Sequence, residues 1–397
     1  MRTKTDSSHD YVISPDGILQ KYNGFEENIV IPHPIAAIGE HAFAECISLV
    51  SVQIPCGVTY IGEHAFSGCR RLRHVTIPDS VHTIGKMAFF QCSSLQEIHL
   101  PRHLSALHDS VFAYCTALER IDIPDSVTAI GDLVFYGCSR LSEAHLPSHL
   151  TTIEGAVFQS CTALKTITLP DTLQEITAFA FADCTSLTQI RIPASVISIG
   201  SQAFRNCAKL QSIKIPQHVS YIGLGAFADC SSLQNIHVSE QNDVFTSLDG
   251  VLYFKDLHTL HTYPAGRHGY YVIPDGISAI FEMAFAGSTH LCGVTIPDSV
   301  TRTGDYAFTR CPLLVSAGPM ESTCNIRFAW KEAIPAYVFG NCHSLQSITI
   351  PSSITQIGEK AFTYCTHLSD VHCPPHLIHA DHFAYTPFWK KQKKDRR

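Results

Sequence analysis

The chain has 397 residues, 45% of them apolar and 16% charged, and carries a formal net charge of −7. That composition fits a folded chain with a large core and excludes a disordered or collagen-like one. No apolar run reaches the roughly eighteen residues that a membrane helix needs, so membrane insertion is not expected.

Residues Met1 to Asp10 are polar and carry neither an apolar run of signal-peptide length nor a small-residue cleavage pattern. Localisation therefore stays open between a protein that works inside the cell and a mature exported one. From Tyr11 to Ile31 the text holds a turn signal, Ser14-Pro15-Asp16-Gly17, and no copy of the motif that fills the rest of the chain. Residues 1–45 are expected to cap the array and start its first rung.

The array itself is a repeat of twenty-three residues. An Ala-Phe or Val-Phe pair recurs with its ring at Phe43, Phe66, Phe89, Phe112, Phe135, Phe158, Phe181, Phe204 and Phe227, and again at Phe285, Phe308, Phe339 and Phe362. A period in this range marks a solenoid, whose single repeat cannot bury its apolar face without stacking on its copies. Within one copy, Leu72, Val75 and Ile77 alternate with His74 and Thr76, the period of a strand with one face inward. Pro78 has no N–H to give a ladder and ends the strand, and Asp79-Ser80 supplies turn chemistry before a second apolar run at Val81 and Ile84. Gly85 reverses the chain, and Lys86 to Phe90 predicts a helical or 3₁₀ corner with Phe89 pointing into the core.

Written out, the copies read L-x-x-I-x-I-P-x-x-V-x-x-I-G-x-x-A-F-x-x-C, and this pattern resembles the BspA-like, or Treponema pallidum type, leucine-rich repeats. The resemblance covers nearly the whole chain. It implies a mainly β fold, a curved right-handed leucine-rich-repeat solenoid of 23-residue rungs with a strand sheet on its concave face. It also implies a binding role, often at a microbial surface, and no catalytic residues.

Of the sixteen cysteines, twelve sit three residues after the repeat Phe, from Cys46 to Cys365. Rungs about 5 Å apart bring neighbouring sulfurs within disulfide reach, but their Cβ vectors run parallel. A buried spine of small apolar thiols, some bonded to loop carbonyls, is expected instead.

Residues 46–238 form the regular array. Residues 239–272 break it and read as a β-hairpin insertion, with Asp249-Gly250 and Phe254-Lys255-Asp256 marking turns. A second array runs over 273–374, with an irregular loop at 312–338 whose most protruding part is Ser316 to Ala333. Residues 375–397 read as a C-terminal cap, with Phe383, Phe388 and Trp389 as an aromatic lid, and a basic tail. The tail, Lys390 to Arg397, holds six basic residues and one Asp, which leaves 1–389 at −12.

Chemistry is sparse. No phosphate loop, His-Glu-x-x-His helix or Gly-x-Ser-x-Gly elbow occurs. His33, Cys56 and Asp79 share a repeat position, but Cys56 would stand between the other two, and a triad needs the His between nucleophile and carboxylate. Cys365, His367, Asp370, His372, Cys373, His376, His379, Asp381 and His382 offer zinc-binding atoms, yet the repeat points both sulfurs inward. Neither a metal nor another cofactor is expected.

The concave face is the surface that the repeat leaves free to vary. Its strand register predicts two polar ladders, one including His74, Glu97, Arg120 and Glu143, the other including His99, Asp122, His145, Arg191, Lys214 and His237. These ten are the candidate binding residues. The leading reading is a non-catalytic scaffold, a monomer that binds a protein or glycan ligand through this face and protruding loops, with an adhesin-like surface protein as its expected form, and binds no nucleic acid. An intracellular structural or assembly scaffold is the alternative, and an enzyme has the least support.

Overall fold

The computed structural model describes residues 10–256, 258–318, 325–326 and 333–395. The chain is mainly β, a β-solenoid of about 15 turns, and it divides into two compact units, Met1–Ala203 and Phe204–Arg397.

A regular rung carries up to two short parallel strands, the first of them absent at residues 97–99, 166–168 and 189–191. In the first unit His74–Thr76 pairs with Ser51–Gln53, placing Val75 inward and His74 and Thr76 outward, as the alternation predicts. The second apolar run gives a separate ladder, in which Tyr60–Ile61 pairs with Thr83–Ile84. Between the two strands, the Pro-Asp-Ser turn locks rungs together. Ser126 Oγ donates to the Leu104 carbonyl of the preceding rung at 2.7 Å, while Asp125 Oδ1 accepts from the Ser148 N–H of the following one at 2.8 Å.

The corner at the repeat Phe is not helical. Among the described residues, helix occurs only near the C-terminus, at Pro375–Leu377, Ala380–Phe383 and Pro387–Asp395. Elsewhere the corner is a turn in which the residues two before and two after Phe take left-handed backbone. His41, His64, Met87, Ser110 and Leu133 on one side, and Glu45, Gln91 and Tyr114 on the other, have φ between 54° and 62°. Alternating hand sends every second N–H toward the next rung: His41, Phe43 and Glu45 donate to the carbonyls of Glu63, Ala65 and Ser67 at 3.0, 2.7 and 2.7 Å. A helical turn would direct those donors along its own axis and leave neighbouring rungs unpaired.

The rings of Phe43 to Phe158 stack with centroids 4.9 to 5.8 Å apart in the first unit. Beside them runs the thiol spine, with Cys69 to Cys184 fully buried. Each sulfur donates to the carbonyl of the Phe one rung back, from Cys69 Sγ to Phe43 O at 3.0 Å onward. Burial pushes these thiols well above their usual pKa. Among the described residues, the spine cysteines Cys69, Cys92, Cys115, Cys138, Cys161 and Cys184 form no disulfide.

In the second unit, residues 245–262 form three antiparallel strands, Phe245–Leu248, Val251–Phe254 and Thr259–Thr262, joined at the first turn by Asp249 and Gly250 with φ of 46° and 72°. The third strand runs parallel to Ala279–Ile280 and so joins the solenoid ladder. This segment belongs to the core: Val251, Leu252, Tyr253 and Leu260 are fully buried, and Tyr263 takes the place of a repeat Phe, its ring 4.9 Å from that of Phe285. Buried Asn242 anchors it, donating to the carbonyls of Pro216 and Val219 and accepting from the N–H groups of Val244 and Phe245. At the outer corner the segment is bypassed. Asp229 N–H donates to Ala286 O at 3.2 Å, and the Asp229 carboxylate receives Arg205 and a two-point bond from Arg310.

The loop expected to protrude over 316–333 lies mostly outside the described residues. At the C-terminal end Phe383 stacks on Phe362 at 5.2 Å and Phe388 meets Phe383 edge-on, which closes the ring stack.

Candidate functional site

The strand face of the first unit exposes His74, Glu97, His99, Arg120, Asp122, Glu143, His145 and Arg191. Alternation puts them there, because their neighbours Val75, Ile98, Ile121, Ala144 and Ile192 are buried. The structure brings four of them together. Arg120–Asp122 lies parallel to Glu143–His145, with Arg120 opposite Glu143 and Asp122 opposite His145. Arg120 donates to Asp122 at 3.2 Å, and His145 bonds Asp122 through Nδ1 while its Nε2 lies 3.3 Å from Glu143. The bond from His145, followed by that from Arg120, holds the Asp122 carboxyl below its usual pKa. Arg191 does not join them and donates instead to Asp171 at 3.2 Å. These charges largely neutralise one another across exposed pairs worth about 0–1 kcal/mol each.

The second unit differs. Ser212–Ile215 pairs in parallel with Asn235–Val238, which sets Lys214 beside His237. The next strand on this face, Gly269–Val272, pairs onward with Leu291–Thr295 rather than back with Asn235–Val238. The ladder is thus interrupted where the three antiparallel strands enter. At that break lies an open hollow of about 620 Å³. Gln211, Gln234, Asn235 and His237 line it from one side, His268 and His290 from the other, together with three serines.

Its walls are held by the inserted segment. Gln234 Nε2 donates to the Gly266 carbonyl at 2.5 Å, Ile236 N–H donates to Gly250 O at 2.8 Å, and the Asn235 side chain abuts Gly250. The imidazoles of His268 and His290 stack with centroids 4.1 Å apart and planes 13° off parallel. Of the ten predicted residues only His237 borders this hollow. Gln234, His268 and His290 escaped the strand register because each lies one residue before its strand, Asn235–Val238, Gly269–Val272 and Leu291–Thr295, and not at an outward strand position.

A solenoid of this sequence pattern, with its strand face, Phe stack and thiol spine, has counterparts among known proteins. The family model described as the BspA type leucine rich repeat region matches residues 21–142, 128–248, 269–326 and 332–391. The chain belongs to this family. This BspA-type chain is similar to a leucine-rich repeat protein from Bacteroides ovatus, at 29% identity over 96% of this chain and 95% of that one, with a TM-score of 0.62. It is also similar to a leucine rich cell surface protein from Faecalibacterium prausnitzii, at 30% identity over 95% and 90%, with a TM-score of 0.56. No curated protein matches it.

The other sequence candidates stand apart from this face. His33, Cys56 and Asp79 are all exposed, and Asp79 accepts from the Arg102 N–H at 3.1 Å. Cys365 sits in the thiol spine and donates to Phe339 O, whereas His372 is exposed beside Asp370 at 3.3 Å. Among the described residues, no group of three or more His, Cys, Asp or Glu side chains is placed to hold a metal ion, and no helix is long and apolar enough to cross a membrane.

Proposed function

We propose that this BspA-type chain is a non-catalytic scaffold that binds a protein or glycan ligand through the strand face of its rungs. The observation that carries this reading is the hollow of polar side chains where the second unit's ladder breaks, on the face whose outward residues the core does not use. The resemblance to a protein described as a cell surface one supports display at a surface, with an adhesin-like role. The acidic balance of residues 1–389 disfavours nucleic acid, whose phosphates attract basic surfaces. The scaffold acts as a monomer and needs no cofactor.

The test is a binding screen of the full chain against panels of glycans and of extracellular proteins, followed by strand-face substitutions. Arg120→Ala or His237→Ala should weaken any ligand found, while Tyr364→Ala, on an exposed corner, should not. A ligand lost with Tyr364→Ala and indifferent to both others would overturn the reading. Protease treatment of intact cells separates surface display from an internal assembly role.

A further inference from the structure

The hollow at the ladder break has a chemical character that the rest of the strand face lacks. Its walls carry amides, hydroxyls and imidazoles, with no carboxylate, ammonium or guanidinium and no aliphatic side chain. In the first unit, by contrast, the strand face is dominated by the Arg120, Asp122, Glu143 and His145 ion pairs.

Protein ligands are held by aromatic or aliphatic anchors in desolvated pockets, or by charge complementarity, and this hollow provides neither. The lining itself offers an ionic ligand no carboxylate, ammonium or guanidinium, Lys214 standing beside His237 but outside the lining. A ligand rich in hydroxyls is different. Each hydroxyl both donates and accepts, and so do Asn, Gln, Ser and neutral His. The groups are also partly fixed before anything binds: Gln234 by Gly266, Asn235 against the turn at Gly250, and His268 against His290. Fixing polar groups in advance lowers the entropic cost of binding. The volume, about 620 Å³, falls within the roughly 300–1,000 Å³ of small-molecule sites and suits a short oligosaccharide.

We infer that this hollow is a subsite for a neutral saccharide, contacted by Gln211, Asn235, His237, His268 and His290. The inference rests on the strand-face reading above and names the ligand class of one part of it. The sequence marks the place only indirectly, through the insertion that breaks the repeat.

The experiment titrates neutral disaccharides and tetrasaccharides built from glucose, galactose, mannose and N-acetylglucosamine into the full chain by calorimetry and by NMR. Sialylated and sulfated sugars serve as the charged comparison. Binding of at least one neutral sugar is expected, with affinity that changes less than about twofold between roughly 0.05 and 0.5 M salt, because no ion pair is involved. Asn235→Ala and His268→Ala should each weaken it about tenfold, and Tyr364→Ala, on an exposed corner outside the strand face, should leave it unchanged. His268 is exposed, so its variant tests the site without a change to the core. Binding confined to charged sugars overturns the inference, and so does neutral-sugar binding indifferent to both hollow variants. If no sugar binds while a protein ligand is still captured through the strand face, the inference fails and the scaffold reading stands. If neither class binds, both fail.

Discussion

Cys138 donates its thiol proton to the Phe112 carbonyl oxygen of the preceding rung at 3.1 Å, and it does so from a position with no exposure to solvent. The bond explains why a sulfur suits this place. The carbonyl already accepts from the Cys115 N–H at 3.0 Å, and the thiol supplies a second donor to it at the volume of a small apolar side chain. Burial also raises the Cys138 pKa far above its usual value, which suppresses the thiolate that reacts. In the native protein a maleimide should therefore modify exposed Cys56 rapidly and Cys138 only on unfolding. Equal labelling rates, read by mass spectrometry of the digested protein, would contradict the spine.

The ring of Phe135 is fully buried, with centroids 5.8 Å from Phe112 and 5.4 Å from Phe158. Phe135→Ala removes the shared surface of two interfaces at once. A loss of roughly 3–5 kcal/mol is expected in denaturant unfolding, and an unchanged midpoint would show that the ring stack contributes little.

Leu133, two residues before that ring, has a φ of 60°. Left-handed backbone costs an L-residue about 1–2 kcal/mol, and β-branched side chains tolerate it least. Consistently, none of the non-glycine residues with positive φ among those described is Val, Ile or Thr, although the chain is rich in all three. Leu133→Val should destabilise by at least about 1 kcal/mol relative to Leu133→Gly. The two variants unfolding at the same midpoint would show that the corner relaxes to another conformation.

How legible this was follows from what each residue is asked to do. Inward positions such as Val75 and Phe89 were readable because burial repeats with the period, and the period is visible in the text. The corner at Lys86 to Phe90 was misread as helical because its residues have ordinary helix propensity, while the inter-rung bonds that decide its shape come from residues one period away. The ladder residues Arg120, Asp122, Glu143 and His145 followed from the register. The hollow did not, since it exists where Asn235–Val238 and Gly269–Val272 fail to pair, and a repeat pattern describes only the pairs that form. Asn242 was equally hidden: a polar residue in an irregular stretch reads as loop, yet it is fully buried with both ends of its amide bonded.

His261 offers the sharpest test of the inserted segment. It is buried among the rings of Phe245, Phe254 and Phe281, with Nε2 facing the Ile222 carbonyl at 3.1 Å and Nδ1 beside Thr262 Oγ1 at 2.8 Å. A neutral imidazole satisfies both contacts by donating to the carbonyl and accepting from the hydroxyl. Burial lowers its pKa from 6.5 to about 4, against a smaller upward pull from the Ile222 carbonyl. The unfolded chain thus takes up a proton near pH 6.5 while the native one resists until about pH 4. Stability from this site is complete above pH 6.5 and is lost progressively as pH falls toward 4, by roughly 3 kcal/mol in all. His261→Leu should be less stable at neutral pH, because the Ile222 carbonyl loses its donor, but its stability should fall less steeply than that of the wild type across this window. Urea unfolding at pH 7, 6, 5 and 4 compares the two slopes, and parallel slopes would show that His261 takes up its proton in the folded state.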